Sequence, residues 1–217
     1  MNAVFTFEKK DVDFFAKGGV HAEYCPVGYN ACYDSVPAEQ KPLYDVVFVG
    51  SAYRERLELL ERIAATAQRK HWRLEFAGPL YEPLYFWKKW VMRARYPASY
   101  RVWENGNFSP EAVAKLYAQS AICLNMHVSR AGSFNPRTFE IMAAGSCEIV
   151  DERLDYDQLV PGRDVVVFHD GEDLMMKIGY YINHVKERQQ IVENGRRMAQ
   201  SRYSLRHSLK QILARTY

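Results

Sequence analysis

The chain has 217 residues, of which 48% are hydrophobic and 14% aromatic, enough to enclose a core of domain size. Its 29 basic and 26 acidic residues leave a formal charge of +3, a balance that excludes a general nucleic-acid binder but allows a local basic cluster to face an anionic ligand. No apolar run reaches the length of a membrane span, and Met1 to Lys10 lacks the basic-then-apolar order of a secretory signal. Cys25, Cys32, Cys123 and Cys147 fit neither zinc nor redox spacing, so the expectation is a cytoplasmic protein with reduced, mostly buried thiols.

In chain order, Met1 to Pro42 is irregular, with Val4 to Phe7 and Ala22 to Cys25 as candidate strands and a loop at Pro26 to Asn30. Tyr44 to Val49 is a β-branched run closed by Gly50-Ser51. Arg54 to Gln68 then sets Leu57, Leu60, Ala64 and Ala67 on one helical face. Trp72 to Ala77 and Tyr100 to Trp103 read as strands, and Ser109-Pro110-Glu111 starts a helix over Ala112 to Gln119. Ala121 to Met126 is a strand, Val128 to Phe134 a loop and Pro136 to Ala144 a helix; Cys147 to Val150 and Asp164 to Phe168 are further strands. Asp173 to Arg215 is a helical tail, interrupted near Gly195 and Ser201 to Ser204. This alternation predicts one α/β domain: a Rossmann-like parallel sheet with helices on both faces and a helical C-terminal tail.

The most informative segment is N-P-R-T-F-E-I-M-A-A-G, Asn135 to Gly145. Asn135 is a helix cap, Pro136 suits the first helical position and Gly145 ends the helix. The donors of the first turn then face the preceding loop, an anion site. Glu140, one turn deeper, suits neutral donors such as the hydroxyls of a ribose, so phosphate and sugar recognition meet at one helix entrance.

The run L-N-M-H-V-S-R-A-G-S-F-N-P-R-T-F-E-I-M-A-A-G-S-C-E-I-V-D-E, Leu124 to Glu152, resembles the donor-binding C-terminal half of GT-B glycosyltransferases. It is closest to the subgroup of spore-maturation glycosyltransferase-like proteins. F-V-G-S at Phe48 to Ser51, the arginines that follow it and P-G-R-D-V-V-V-F at Pro161 to Phe168 support the resemblance, which covers Tyr44 to the C-terminus. It implies that a nucleotide-activated sugar is bound and transferred to a hydroxyl acceptor, with no cofactor, and that Glu140 accepts hydrogen bonds from the ribose hydroxyls.

The first-turn residues Asn135, Arg137 and Thr138, with Gly132 and Ser133 before them, are expected at the diphosphate. Gly50 and Ser51 lie at a strand end, and Arg54 or Arg56 is expected to neutralise the departing nucleoside diphosphate. His127 on the same edge is a second-tier candidate, since a lone histidine is more often structural. Many retaining GT-B enzymes carry a second glutamate eight positions before the ribose-binding one, and here that position is Gly132. The catalytic residues and the stereochemical outcome therefore stay open.

Two D-x-D strings, Asp11-Val12-Asp13 and Asp155-Tyr156-Asp157, resemble the manganese motif of the other glycosyltransferase fold. A solvated turn is the stronger reading for the second, and no metal is expected. Tyr81 to Tyr100 interleaves Trp87 and Trp90 with Lys88, Lys89, Arg93 and Arg95; an amphipathic helix burying its tryptophans is favoured over a surface for stacking, a partner or an anionic membrane. Residues 1–42 resemble the end of an N-terminal domain and its crossover, so an acceptor domain outside this chain is expected. A non-catalytic nucleotide-binding subunit and an interaction module are the alternatives.

Overall fold

The computed structural model describes residues 4–37, 41–51, 53–80, 87–127 and 132–216. Six strands form an all-parallel sheet: β3 (Tyr44–Val49), β4 (Leu74–Gly78), β5 (Trp103–Asn105), β6 (Ser120–Asn125), β7 (Cys147–Asp151) and β8 (Val166–Phe168), in the order β5-β4-β3-β6-β7-β8. Register is set by pairs such as Val46 with Ile122 and Leu124 with Ile149. Side chains alternate along β3, so Val46 and Phe48 enter one core layer and Val47 and Val49 the other. Strand order reverses between β3 and β6, where open α/β sheets bind ligands beyond their carboxyl ends.

Helix α2 (Arg54–Lys70) packs Leu60, Ile63, Ala64 and Ala67 on the Phe48 face, together with Leu174 and Ile178 of α7 (Gly171–Asn183). The opposite face carries α5 (Pro110–Ala118) and α6 (Pro136–Ala144). The predicted α/β architecture is therefore present, with local corrections. Tyr100 belongs to a short helix, α4 (Pro97–Arg101), whose first amides, Ala98 and Ser99, donate to the Glu61 carboxylate at 2.9 and 2.8 Å; the strand there is β5. The tail breaks at His184, not Gly195, giving α7, α8 (Val185–Arg202) and α9 (Leu205–Thr216). Gly195 instead lets α8 approach the turn before β8, because a Cβ there would lie 2.7 Å from the Asp164 carbonyl oxygen.

The first strands form a unit of their own. β1 (Val4–Thr6) pairs in parallel with β2 (Ala22–Tyr24) across α1 (Lys9–Lys17) and is bound to the tail by the following linker. The Tyr29 amide donates to the Tyr203 carbonyl at 2.8 Å, and the Leu205 amide donates to the Tyr29 carbonyl at 2.9 Å. At Gly28 a Cβ would stand 2.3 Å from the Ser204 carbonyl carbon, so only glycine permits this approach.

The tryptophans of α3 (Lys88–Arg95) and its cap are not buried: Trp87 is 52% and Trp90 60% exposed. That corrects the expected packing helix; Tyr81 to Phe86, like Val128 to Ala131 of the predicted loop, lie outside the described residues. Cys25, Cys123 and Cys147 are buried, Cys32 is partly so, and all four are free thiols. No helix among the described residues is long and apolar enough to cross a membrane.

Candidate functional site

Gly50 and Ser51 follow β3, and His127 follows β6, so both lie on the reversal edge of the sheet. Gly78 has φ +132, and a Cβ there would stand 2.4 Å from the Gly50 carbonyl oxygen, so the ends of β3 and β4 close together only without side chains. Arg56 bridges the edge: one terminal nitrogen donates to the Ser51 carbonyl at 3.3 Å and the other to the Met126 carbonyl. Arg54 faces solvent and pairs with Glu58. Of the two candidate arginines, the structure thus brings Arg56 into the site. Burial, followed by the like charge of Arg137, lowers its pKa, so two guanidinium groups from α2 and α6 repel each other across this edge.

The helix entrance follows the sequence closely. Asn135 Oδ1 accepts from the Thr138 amide at 3.3 Å, Pro136 opens the helix, and Gly145 ends it in the left-handed region at φ +83. Beneath the cap lies a buried network that sequence reading missed. Asn125 Nδ2 donates toward Asn135 Oδ1 at 3.0 Å and Glu148 Oε1 at 2.8 Å, and the Thr138 hydroxyl donates to Glu148 Oε1 at 3.0 Å. Thr138 is therefore committed to the cap through its amide and to the core through its hydroxyl.

His127 is likewise structural. Its Nδ1 and its amide reach Asp151 Oδ1 at 2.8 and 2.7 Å, while Nε2 accepts from the Asn135 amide at 3.4 Å. With the proton on Nδ1, one ring serves both partners. Burial pushes the Asp151 carboxyl up, but the His127 hydrogen bonds and the Arg153 charge more than offset this and hold it below the usual carboxylate range.

Glu140 faces the linker. Burial pushes its carboxyl above the ordinary range, while the Arg137 guanidinium and the Tyr33 hydroxyl favour the ionised form. Tyr33, in the short 3-10 turn Ala31–Tyr33, stacks on Tyr117 of α5 with ring centroids 6.2 Å apart. The flanking Phe139 and Ile141 are buried in the core, as expected.

The loop before the cap is held from behind. Arg153, whose side chain is 2% exposed, donates to the carbonyls of Gly132 and Ser133 at 3.1 and 3.0 Å and lies 3.5 Å from Asp151 Oδ2. The Ser133 amide points the other way and donates to Glu8 Oε2 at 3.0 Å. That amide, expected to approach a phosphate, is thus met by a carboxylate from the first βαβ unit.

Asp155 and Asp157 form no open turn either. Lys9 Nζ lies 3.0 and 3.1 Å from their oxygens, and the Tyr203 hydroxyl donates to Asp157 Oδ2 at 2.7 Å. They join the first βαβ unit to the tail. Among the described residues no group of three or more His, Cys, Asp or Glu side chains is placed to hold a metal.

Glu148 carries a testable consequence. It is 1% exposed, and burial pushes its carboxyl from 4.5 up to about 7. The folded state therefore holds this proton more tightly than the unfolded state. Stability should fall as the pH rises from 4.5 to about 7 and then level off, a loss of about 3 kcal/mol. Glu148→Gln should be more stable than the parent above pH 8, with the difference gone near pH 4.5; urea midpoints with the same pH slope in both proteins would refute this.

Residues 54–214 match the glycosyl transferase-like family. The search of curated proteins returned no match. Among solved structures, the chain is similar to Anabaena Alr3699/HepE in complex with UDP-glucose (13% identity, TM-score 0.74, 99% of this chain and 63% of that one). It is also similar to a Rickettsia africae glycosyltransferase (14%, 0.73, 98% and 62%) and to sucrose-phosphate synthase from Thermosynechococcus elongatus (16%, 0.70, 99% and 58%). The chain thus spans about three-fifths of the length of these neighbours. With a family match across all but the first βαβ unit, the linker, β3 and the chain's last residues, and with one GT-B half as its fold, the chain belongs to the glycosyl transferase-like family.

Proposed function

We propose that this chain is the donor-binding half of a GT-B glycosyltransferase and holds a nucleotide-activated sugar at the entrance of α6. The observation that carries this reading is the placement of Arg56 on the Ser51 and Met126 carbonyls at the reversal edge, with Arg137 in the first turn of α6 and a half-buried Glu140 one turn deeper. Two cations near one sheet edge favour a dianionic diphosphate there, and the acid one turn deeper suits the ribose hydroxyls. In the transfer, the bond from the anomeric carbon to the diphosphate breaks and a bond to the acceptor oxygen forms. The acceptor proton leaves to a general base. Arg56 and Arg137 stabilise the departing nucleoside diphosphate, so no metal or cofactor is required.

The run from Leu124 to Glu152 supports the spore-maturation glycosyltransferase-like subgroup, and the four free thiols are in keeping with a cytoplasmic donor pool. The UDP and UDP-glucose found in the Anabaena neighbours make uridine nucleotides the first ligands to try. At about 100 times its dissociation constant the right ligand adds about 2.7 kcal/mol of stability. A thermal-shift series pairing UDP, GDP and ADP with their glucose or mannose conjugates reads this directly, and no shift with any of them removes the reading.

A further inference from the structure

The carboxylate of Glu8 occupies the space that a side chain at Gly132 would take. A Cβ built at Gly132, whose φ is +111, would stand 2.8 Å from Glu8 Oε2 and 3.0 Å from Oε1. The acid arrives from the carboxyl end of β1, at the residue that caps α1, 125 positions before Ser133 in sequence. It is held there by the Ser133 amide, in a loop that Arg153 fixes from behind. The neighbouring Lys9 is turned away onto Asp155 and Asp157, and among the described residues no basic side chain forms an ion pair with Glu8.

We infer that Glu8 is a sugar-binding residue of the donor site, a carboxylate lent by the first βαβ unit to the loop before α6, where it accepts hydrogen bonds from hydroxyls of the transferred sugar. This rests on the donor-site reading above. The chemistry selects the ligand group: a carboxylate beside the loop repels a diphosphate but pairs well with the neutral hydroxyl donors of a monosaccharide. The position also explains the glycine, since any side chain at 132 would displace the acid. Sugar recognition is thereby divided between distant parts of the chain, with Glu140 on the pentose and Glu8 on the hexose.

The test compares the unmutated chain, Glu8→Ala and Glu8→Gln by calorimetric titration with matched pairs: UDP and UDP-glucose, GDP and GDP-mannose, ADP and ADP-glucose. For the pair that binds, Glu8→Ala should weaken the nucleotide sugar about tenfold and leave the nucleoside diphosphate unchanged, and Glu8→Gln, which keeps one neutral acceptor, should fall between. The unchanged diphosphate affinity reports that the variant is folded. If Glu8→Ala tightens both ligands equally, Glu8 is a plug on the anion site; if it weakens both equally, or neither, its role is structural; any of these overturns the inference. An unmutated chain that binds none of the six overturns the donor-site reading and this inference with it.

Discussion

Glu140→Ala should bind the nucleotide ligand about 10- to 100-fold more weakly than the parent, the loss expected when a charged acceptor of two hydroxyl hydrogen bonds is removed. Two further readouts separate this from general damage. Burial raises the Glu140 carboxyl, so the empty protein loses stability as the pH rises through that range and the group ionises within the fold. Glu140→Gln should therefore melt higher than the parent at neutral pH, with the gain vanishing in acid, while still binding poorly. The same shift makes affinity in the parent fall on acidification at a higher pH than an ordinary glutamate would give. A Glu140 variant that binds as tightly as the parent would discard the assignment of this residue even if the site stands.

Arg153→Met should be the most destabilising single change in the site. The guanidinium is the ion-pair partner of Asp151 and the donor to two loop carbonyls, with 2% of its side chain exposed. Truncation leaves a buried carboxylate short of a cation and two carbonyls short of donors, which costs about 3–5 kcal/mol. For a domain of this size that is a fall in melting temperature of about 10 °C. Since Asp151 keeps the His127 bonds, the double variant with Asp151→Asn should lose less than the sum of the two singles. A melting temperature within 2 °C of the parent in Arg153→Met would show that the loop does not depend on this side chain.

The entrance of α6 could be read from the sequence because its signals are local. Asn135, Pro136 and Gly145 each act within a few residues of themselves, and the structure uses all three. What surrounds it could not be read the same way. Glu148 and Asp151 sit in β7, buried on both faces; a parallel central strand has no polar side to betray which acid is functional. Arg153 follows that strand in a charged stretch that looks solvated, and its partners, Gly132 and Ser133, lie about twenty residues earlier. Glu8 and Tyr33 come from the least regular part of the chain. The helix α4 escaped for a related reason, because its cap is Glu61, a residue of α2. At the tail, the buried Arg188 donates to the carbonyls of Tyr181 and Ile182 and so closes α7 without a glycine.

Tyr203 gives the two ends of the molecule a shared bearing. Its carbonyl receives the Tyr29 amide, its hydroxyl rests on Asp157, and its ring lies flat on Phe139 with centroids 4.0 Å apart and planes 9° from parallel. Phe139 is the residue before Glu140. The linker, the tail and the turn of helix that carries the acid are therefore joined through one tyrosine, so the acid's position is fixed by segments far apart in sequence.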